Sequence, residues 1–179
     1  KCAQFGYRMM FELVDTHSNS VERELLGIIA ALQPDGIILT PPHSDNPQIV
    51  KLLQEQKIIF ARIGSKQNDA GIPIYMDDDG SAYKATEYLI KFGHQRIGFI
   101  AGSPEYQLSQ WRIEGWQKAM DEAGLSTKDL LAQGDFSYGS GEIAANQLLS
   151  ALKPPTAIIA SNDQMAFATL DVARARGLS

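Results

Sequence analysis

Apolar residues in this chain fall into short runs, separated by segments in which apolar positions recur every three to four residues. The runs are "FGYRMMFELV" (5–14), "GIILT" (36–40), "IIFARI" (58–63), "IPIYM" (72–76), "RIGFIA" (96–101) and "TAIIAS" (156–161), with a weaker one in "LLAQGDF" (130–136). Bounded by Gly, Pro and polar clusters, they predict β-strands. Several are apolar at successive positions rather than alternating, the pattern of a parallel sheet covered by helices on both faces. Between them, Leu25, Ile28, Ile29 and Leu32 follow helical spacing in 21–33. Asn46 and Pro47 supply a cap and a first-turn proline for a helix over 47–56. Further helices are predicted over 80–92, 108–123, 142–152 and 164–176. Strands alternating with helices at a spacing of roughly 25–30 residues indicate repeated βα units and an α/β fold.

One junction raises a question of function. In "AIIASNDQMA" (157–166) a buried-type strand runs into Ser161, Asn162 and Asp163 and then into a helix. Such a trio can cap the helix, and it can also line a ligand site, because open α/β sheets bind ligands beyond the carboxyl ends of their strands. Other strand ends carry polar residues as well: Thr40 after 36–40, Arg62 near the end of 58–63 and Asp77 after 72–76. Arg112, beside Trp111 and Trp116, offers five rigid donors, and Phe136 offers an apolar face for a ring. The acidic stretch in "YMDDDGSAY" (75–83) marks the boundary between two lobes, 1–76 and 77–179.

Composition narrows the function classes. The chain has 179 residues, 44% of them hydrophobic and 21% charged, and a net charge of −5. An acidic segment of this kind is not itself a nucleic-acid surface. A single cysteine, Cys2, excludes an internal disulfide. No run is long enough to span a membrane. His17, His43 and His94 are scattered, each expected in a solvated turn, and no metal-ligand spacing is present. There is no nucleophile elbow, and no carboxylate pair stands out. "YGSGEIA" matches G-x-G-x-x-A through Gly139, Gly141 and Ala144, but the run before it is poorly apolar, so the stretch reads as a turn followed by a helix. Binding is indicated over catalysis, with no cofactor and no metal.

At "YLIKFGHQRIGFIAG" (88–102), "RIEGW" (112–116) and "SNDQMAFATLDVARARGLS" (161–179) the sequence resembles the effector-binding core of the lactose-repressor (LacI/GalR) family of bacterial transcription regulators. That core is similar to periplasmic sugar-binding proteins. The resemblance implies a two-lobed, periplasmic-binding-protein-like fold of parallel sheets flanked by helices, with a sugar or sugar derivative bound in the cleft between the lobes. It also implies a cytoplasmic homodimer that reads operator DNA through an N-terminal helix-turn-helix. By motif match, Arg112 takes the place of the effector-binding arginine, and Asn162 and Asp163 that of the polar contact pair. Phe136 falls where an aromatic stacks on the ligand, Thr40 at a strand-end contact and Asp77 at a lobe crossover. Phe167, on the helix at 164–176, is expected in the dimer interface. Arg62 stands where many members carry an acid. It fits an anionic effector, a pair with Asp77, or a solvated surface position. The family pattern makes the chain look truncated at both ends, without the helix-turn-helix, the first strand and the return crossovers. A periplasmic or transporter-linked sugar-binding protein and a nucleotide-dependent enzyme are the other readings.

Overall fold

β4 (Ile97–Ala101) is buried at all five positions and organises the second half of the chain. It lies between β5 (Leu131–Gln133) and β6 (Ala157–Ala160), and both ladders are parallel, with Phe99 opposite Leu131 and Ile159. Side chains alternate across a strand, so its odd and even residues feed two cores. Ile97, Phe99 and Ala101 pack with Ala82 of α3 (Asp78–Lys91) and with Trp116 and Met120 of α4 (Gln107–Glu122). Ile100 packs with Ala144, Ala145 and Leu148 of α5 (Tyr138–Leu149) and with Met165 and Val172 of α6 (Asp163–Ala175). Here the expectation of a sheet covered on both faces holds.

The structure, a computed structural model, describes residues 2–15 and 20–178. His17, expected in a solvated turn, lies outside the described residues, as do Lys1 and Ser179. The chain divides between Ile74 and Tyr75 into two units, two residues before the boundary placed at 76/77 on sequence grounds.

The first unit has a parallel sheet ordered β1 (Gly36–Leu39), β2 (Ile59–Ile63), β3 (Ile72–Ile74). Its core joins Leu39 and Phe60 to Val21 and Leu25 of α1 (Val21–Leu32) and to Ile49, Val50, Leu52 and Leu53 of α2 (Pro47–Glu55). α2 starts as its sequence dictates: Asn46 Oδ1 accepts from the amides of Gln48 (2.9 Å) and Ile49 (3.3 Å), with Pro47 in the first turn. Such a cap contributes about 1 kcal/mol.

Three expectations are corrected. Ile38, Ile59, Ile63, Ile72 and Ile74 of the first sheet are exposed, so only one of its faces is covered among the described residues. The run 5–14 forms no strand. Cys2–Phe5 is a 3-10 turn and 7–15 has no regular structure, with Phe11 and Leu13 almost fully exposed. A strand needs a ladder partner for its amides and carbonyls. This run pairs with no strand among the described residues, and His43 Nε2 holds it at one point by donating to the Val14 carbonyl (3.0 Å). Finally, Gly139 and Gly141 lie inside α5, which begins at Tyr138 rather than after a turn. A Cβ on Gly141 would come within 2.6 Å of Met165 Cα, so this glycine permits α5 and α6 to pack closely rather than cradling a phosphate.

Candidate functional site

The carboxyl ends of β4 and β6 lie side by side. Ser161 ties them together: its amide (3.0 Å) and its hydroxyl (2.8 Å) both donate to the Ile100 carbonyl. Asn162 then does two jobs. Its Oδ1 accepts from the Met165 amide (3.0 Å), capping α6, and its Nδ2 donates to the Phe136 carbonyl (2.8 Å). Phe136 sits at φ +74°, in the left-handed region that costs a residue bearing a Cβ about 1–2 kcal/mol. Strain of that kind persists only where surrounding contacts over-determine it. The Asn162 bond is one such contact. A second is the ring, which occupies the space a Cβ on Gly102 would need and meets Tyr106 edge-on, centroids 5.5 Å apart. Asp163 is exposed in the first turn of α6, where the helix dipole favours a carboxylate.

Arg112, on α4, completes the group. Its Nε donates to Asp78 Oδ1 (2.9 Å), its Nη2 lies 2.8 Å from the same oxygen, and its Nη1 donates to the Ser161 carbonyl (2.6 Å). The guanidinium is therefore fixed between the start of α3 and the end of β6. Nη1 and Nη2 each keep an N–H that no described residue takes up, and the side chain is 22% exposed. One glycine makes this possible. A Cβ on Gly115 would strike the Asp79 carbonyl oxygen, so only glycine allows α3 to approach α4 closely enough for Asp78 to reach Arg112. Arg112, through the Ser161 carbonyl, and Phe136, through Asn162, are thus tied to the end of β6, with Asp163 next along the chain.

Over residues 2–179 the sequence matches the family described as periplasmic binding proteins and sugar binding domain of LacI family. The chain belongs to this family. It is 30% identical over 166 residues to the HTH-type transcriptional repressor CytR of Escherichia coli strain K12, covering 90% of this chain and 48% of that protein. Its fold is similar to a regulatory protein of LacI family from Chloroflexus aggregans, with a TM-score of 0.80, 28% identity, and 94% and 60% of the two chains covered. It is also similar to the transcriptional regulator CelR in its cellobiose complex, with a TM-score of 0.78, 30% identity, and 90% and 50% coverage. The chain spans about half the length of the curated relatives it matches. The family and fold expected from the three sequence motifs are therefore those found.

Elsewhere in this LacI-family domain, the expected site residues have other surroundings. Asp77 caps α3, its Oδ1 accepting from the Gly80 amide (3.2 Å). Thr40 is exposed after β1, and its carbonyl accepts from the amides of His43 (3.0 Å) and Ser44 (3.2 Å). Arg62 departs most from expectation. It is 1% exposed, neither solvated nor paired with Asp77. Nε donates to the Ser44 carbonyl (2.6 Å). Nη1 donates to Asp69 Oδ1 (2.6 Å) and the Ala70 carbonyl (3.2 Å), and Nη2 to Asp45 Oδ1 (2.7 Å) and Gln67 Oε1 (3.1 Å). Those five bonds match the five N–H donors of an arginine, leaving none for an anionic ligand. Arg62 holds the Asp69 carboxyl below its usual value, chiefly through the hydrogen bond between them. Beside this network lies an open cavity of 330 Å³ between α2 and the loop after β2, with Lys51, Gln54, Gln67 and Asp69 among its lining residues.

Sequence reasoning missed Asp78, Gly115 and Tyr106. Asp78 had a signal: it lies four residues before buried Ala82 and eight before buried Thr86, on the inward stripe of α3. His94 sits in a turn with Nδ1 2.9 Å from Thr156 Oγ1. Among the described residues, no three His, Cys, Asp or Glu side chains converge as a metal site requires, and no helix is long and apolar enough to cross a membrane.

Proposed function

We propose that this chain is the effector-binding region of a LacI-type transcription regulator, and that its second unit binds a small hydroxylated effector, a sugar or sugar derivative, at the carboxyl ends of β4 and β6. The observation that carries this reading is the fixed guanidinium of Arg112, with N–H groups of Nη1 and Nη2 left over. Those donors suit hydroxyl oxygens, Asp163 supplies acceptors, and the Phe136 ring supplies an apolar face for a pyranose or base ring. The full-length protein would act in the cytoplasm as a homodimer that binds operator DNA through a helix-turn-helix. Effector binding shifts such a protein between states by as much as its affinity for the two states differs. Arg112→Ala tests the site. Calorimetry with cellobiose and a panel of neutral mono- and disaccharides is expected to show binding by the wild type, and a loss of about tenfold or more in the variant, as removing a charged hydrogen bond entails. Unchanged affinity in the variant would rule the site out.

Assembly has its own support. On α6, Met165 and Val172 are buried, whereas Phe167 is 63% exposed and Leu170 is also exposed. An unshielded phenyl beside an exposed leucine suits a homodimer contact. Phe167→Glu is expected to shift sedimentation of the full-length protein toward monomer, and a fully dimeric variant would exclude this face.

A further inference from the structure

Asp78 is 5% exposed, lies in the first turn of α3, and meets Arg112 through Nε and Nη2 on a single oxygen. We propose that Asp78 is a specificity-determining residue: it aims the Arg112 guanidinium outward and cancels its charge, so that the site accepts uncharged, hydroxyl-bearing ligands and rejects anions. The inference rests on reading Arg112 as ligand-facing.

An arginine with open N–H groups is ordinarily an anion trap, because its fork matches the oxygens of a carboxylate or phosphate. Here the same guanidinium already touches a carboxylate that has little access to water. An anion arriving at the free N–H groups would meet the guanidinium and, behind it, a like charge that solvent does not screen. A second carboxylate, Asp163, stands exposed at the start of α6. A hydroxyl oxygen accepts from the same N–H groups without bringing charge, so it gains the bond and avoids the repulsion. Discrimination built from a repulsive element beside an attractive one is a general route to specificity. The geometry behind it is deliberate in one respect: a Cβ on Gly115 would push the two helices apart and separate Asp78 from Arg112.

The test uses inorganic phosphate as the anion probe on the full-length protein, read by calorimetry and by phosphate-dependent change in Tm. Asp78→Asn keeps an oxygen to accept from Arg112 Nε while removing the charge. It is expected to bind phosphate about tenfold or more tightly than the wild type. Adding Arg112→Gln to Asp78→Asn is expected to abolish that gain. A merely structural Asp78 would lower Tm without creating phosphate binding that depends on Arg112. The proposal is overturned if folded Asp78→Asn gains no phosphate affinity, or if the wild type already binds phosphate and loses it on Arg112→Gln. It is also overturned if both Asp78→Asn and Asp78→Ser fail to fold, since Asp78 would then be needed for the fold itself. Because the probe is an anion rather than the effector, failure here leaves the neutral-saccharide result with Arg112→Ala standing.

Discussion

The two sheets of this protein are written in nearly the same alphabet and live in different environments. β4, "IGFIA", is buried at every position; β2, "IFARI", alternates, with Phe60 and Arg62 buried and Ile59 and Ile63 exposed. Helices lie on both faces of the β5–β4–β6 sheet and, among the described residues, on one face of the β1–β2–β3 sheet. An apolar strand therefore reports that it belongs in a sheet but not how many layers cover it. The polar chemistry divides in the same way. In the second unit Arg112 engages three of its five donors and is partly exposed. In the first an arginine is wholly satisfied and buried.

The sharpest way to break this contrast is to remove one large side chain from each sheet's surroundings. Trp116 is fully buried, stacked on Phe99 at 5.5 Å, with Nε1 donating to the Ile97 carbonyl (3.2 Å). Trp116→Ala is expected to cost about 3–5 kcal/mol in denaturant unfolding. Ile59→Ala, on the exposed face, should stay within about 0.5 kcal/mol. A cost for Ile59→Ala that approached the core value would mean the exposed face is covered in solution, and the contrast would fail.

A smaller effect is expected at Arg62. Arg62→Met should destabilise the first unit by about 2–3 kcal/mol, less than loss of a fully buried ion pair, because Asp45 and Asp69 reach water and can be resolvated. Hydrogen exchange should report faster opening of the β2 amides and unchanged protection in β4. Smaller again is the acid response. The Asp69 pKa lies below the usual 3.8 when folded, so its contribution is present above that value and fades as pH falls through the folded pKa. Asp135 behaves likewise in the second unit, drawn down to about 2 by hydrogen bonds from Ser137 first and then Ser140. In Arg62→Met, carboxyl titration by NMR should return Asp69 toward 3.8 and leave Asp135 unmoved.

Much of the architecture was legible in the sequence because it rests on local rules. The six apolar runs from 36 onward became strands, and Asn46-Pro47 and Asn162 start helices as their types suggest. What failed depended on partners remote in sequence. The run 5–14 has strand chemistry but, among the described residues, no ladder neighbour. Residues 139–141 read as a turn, yet they lie inside α5, where Gly141 answers to Met165, twenty-four positions later. Around β6, Asn162 stands out by its place after a strand, whereas Arg112 stands out by its type on a helix and by its motif. Of three consecutive acids, the one that touches Arg112 is Asp78 rather than Asp77, and helical phase, not strand ending, distinguishes them. For Arg62 the sequence left its direction open, and no local pattern names partners at Ser44, Asp45, Gln67, Asp69 and Ala70.

That arginine has a bearing on how the protein can change over generations. Five bonds from one planar group are five simultaneous demands, and lysine, a point charge with three donors, cannot meet them. An acid at position 62 would sit among two others and repel both. Drift at 62 is therefore blocked unless 45 and 69 move with it, so these three positions should be inherited as a block, each substitution harmful alone and tolerable only in company.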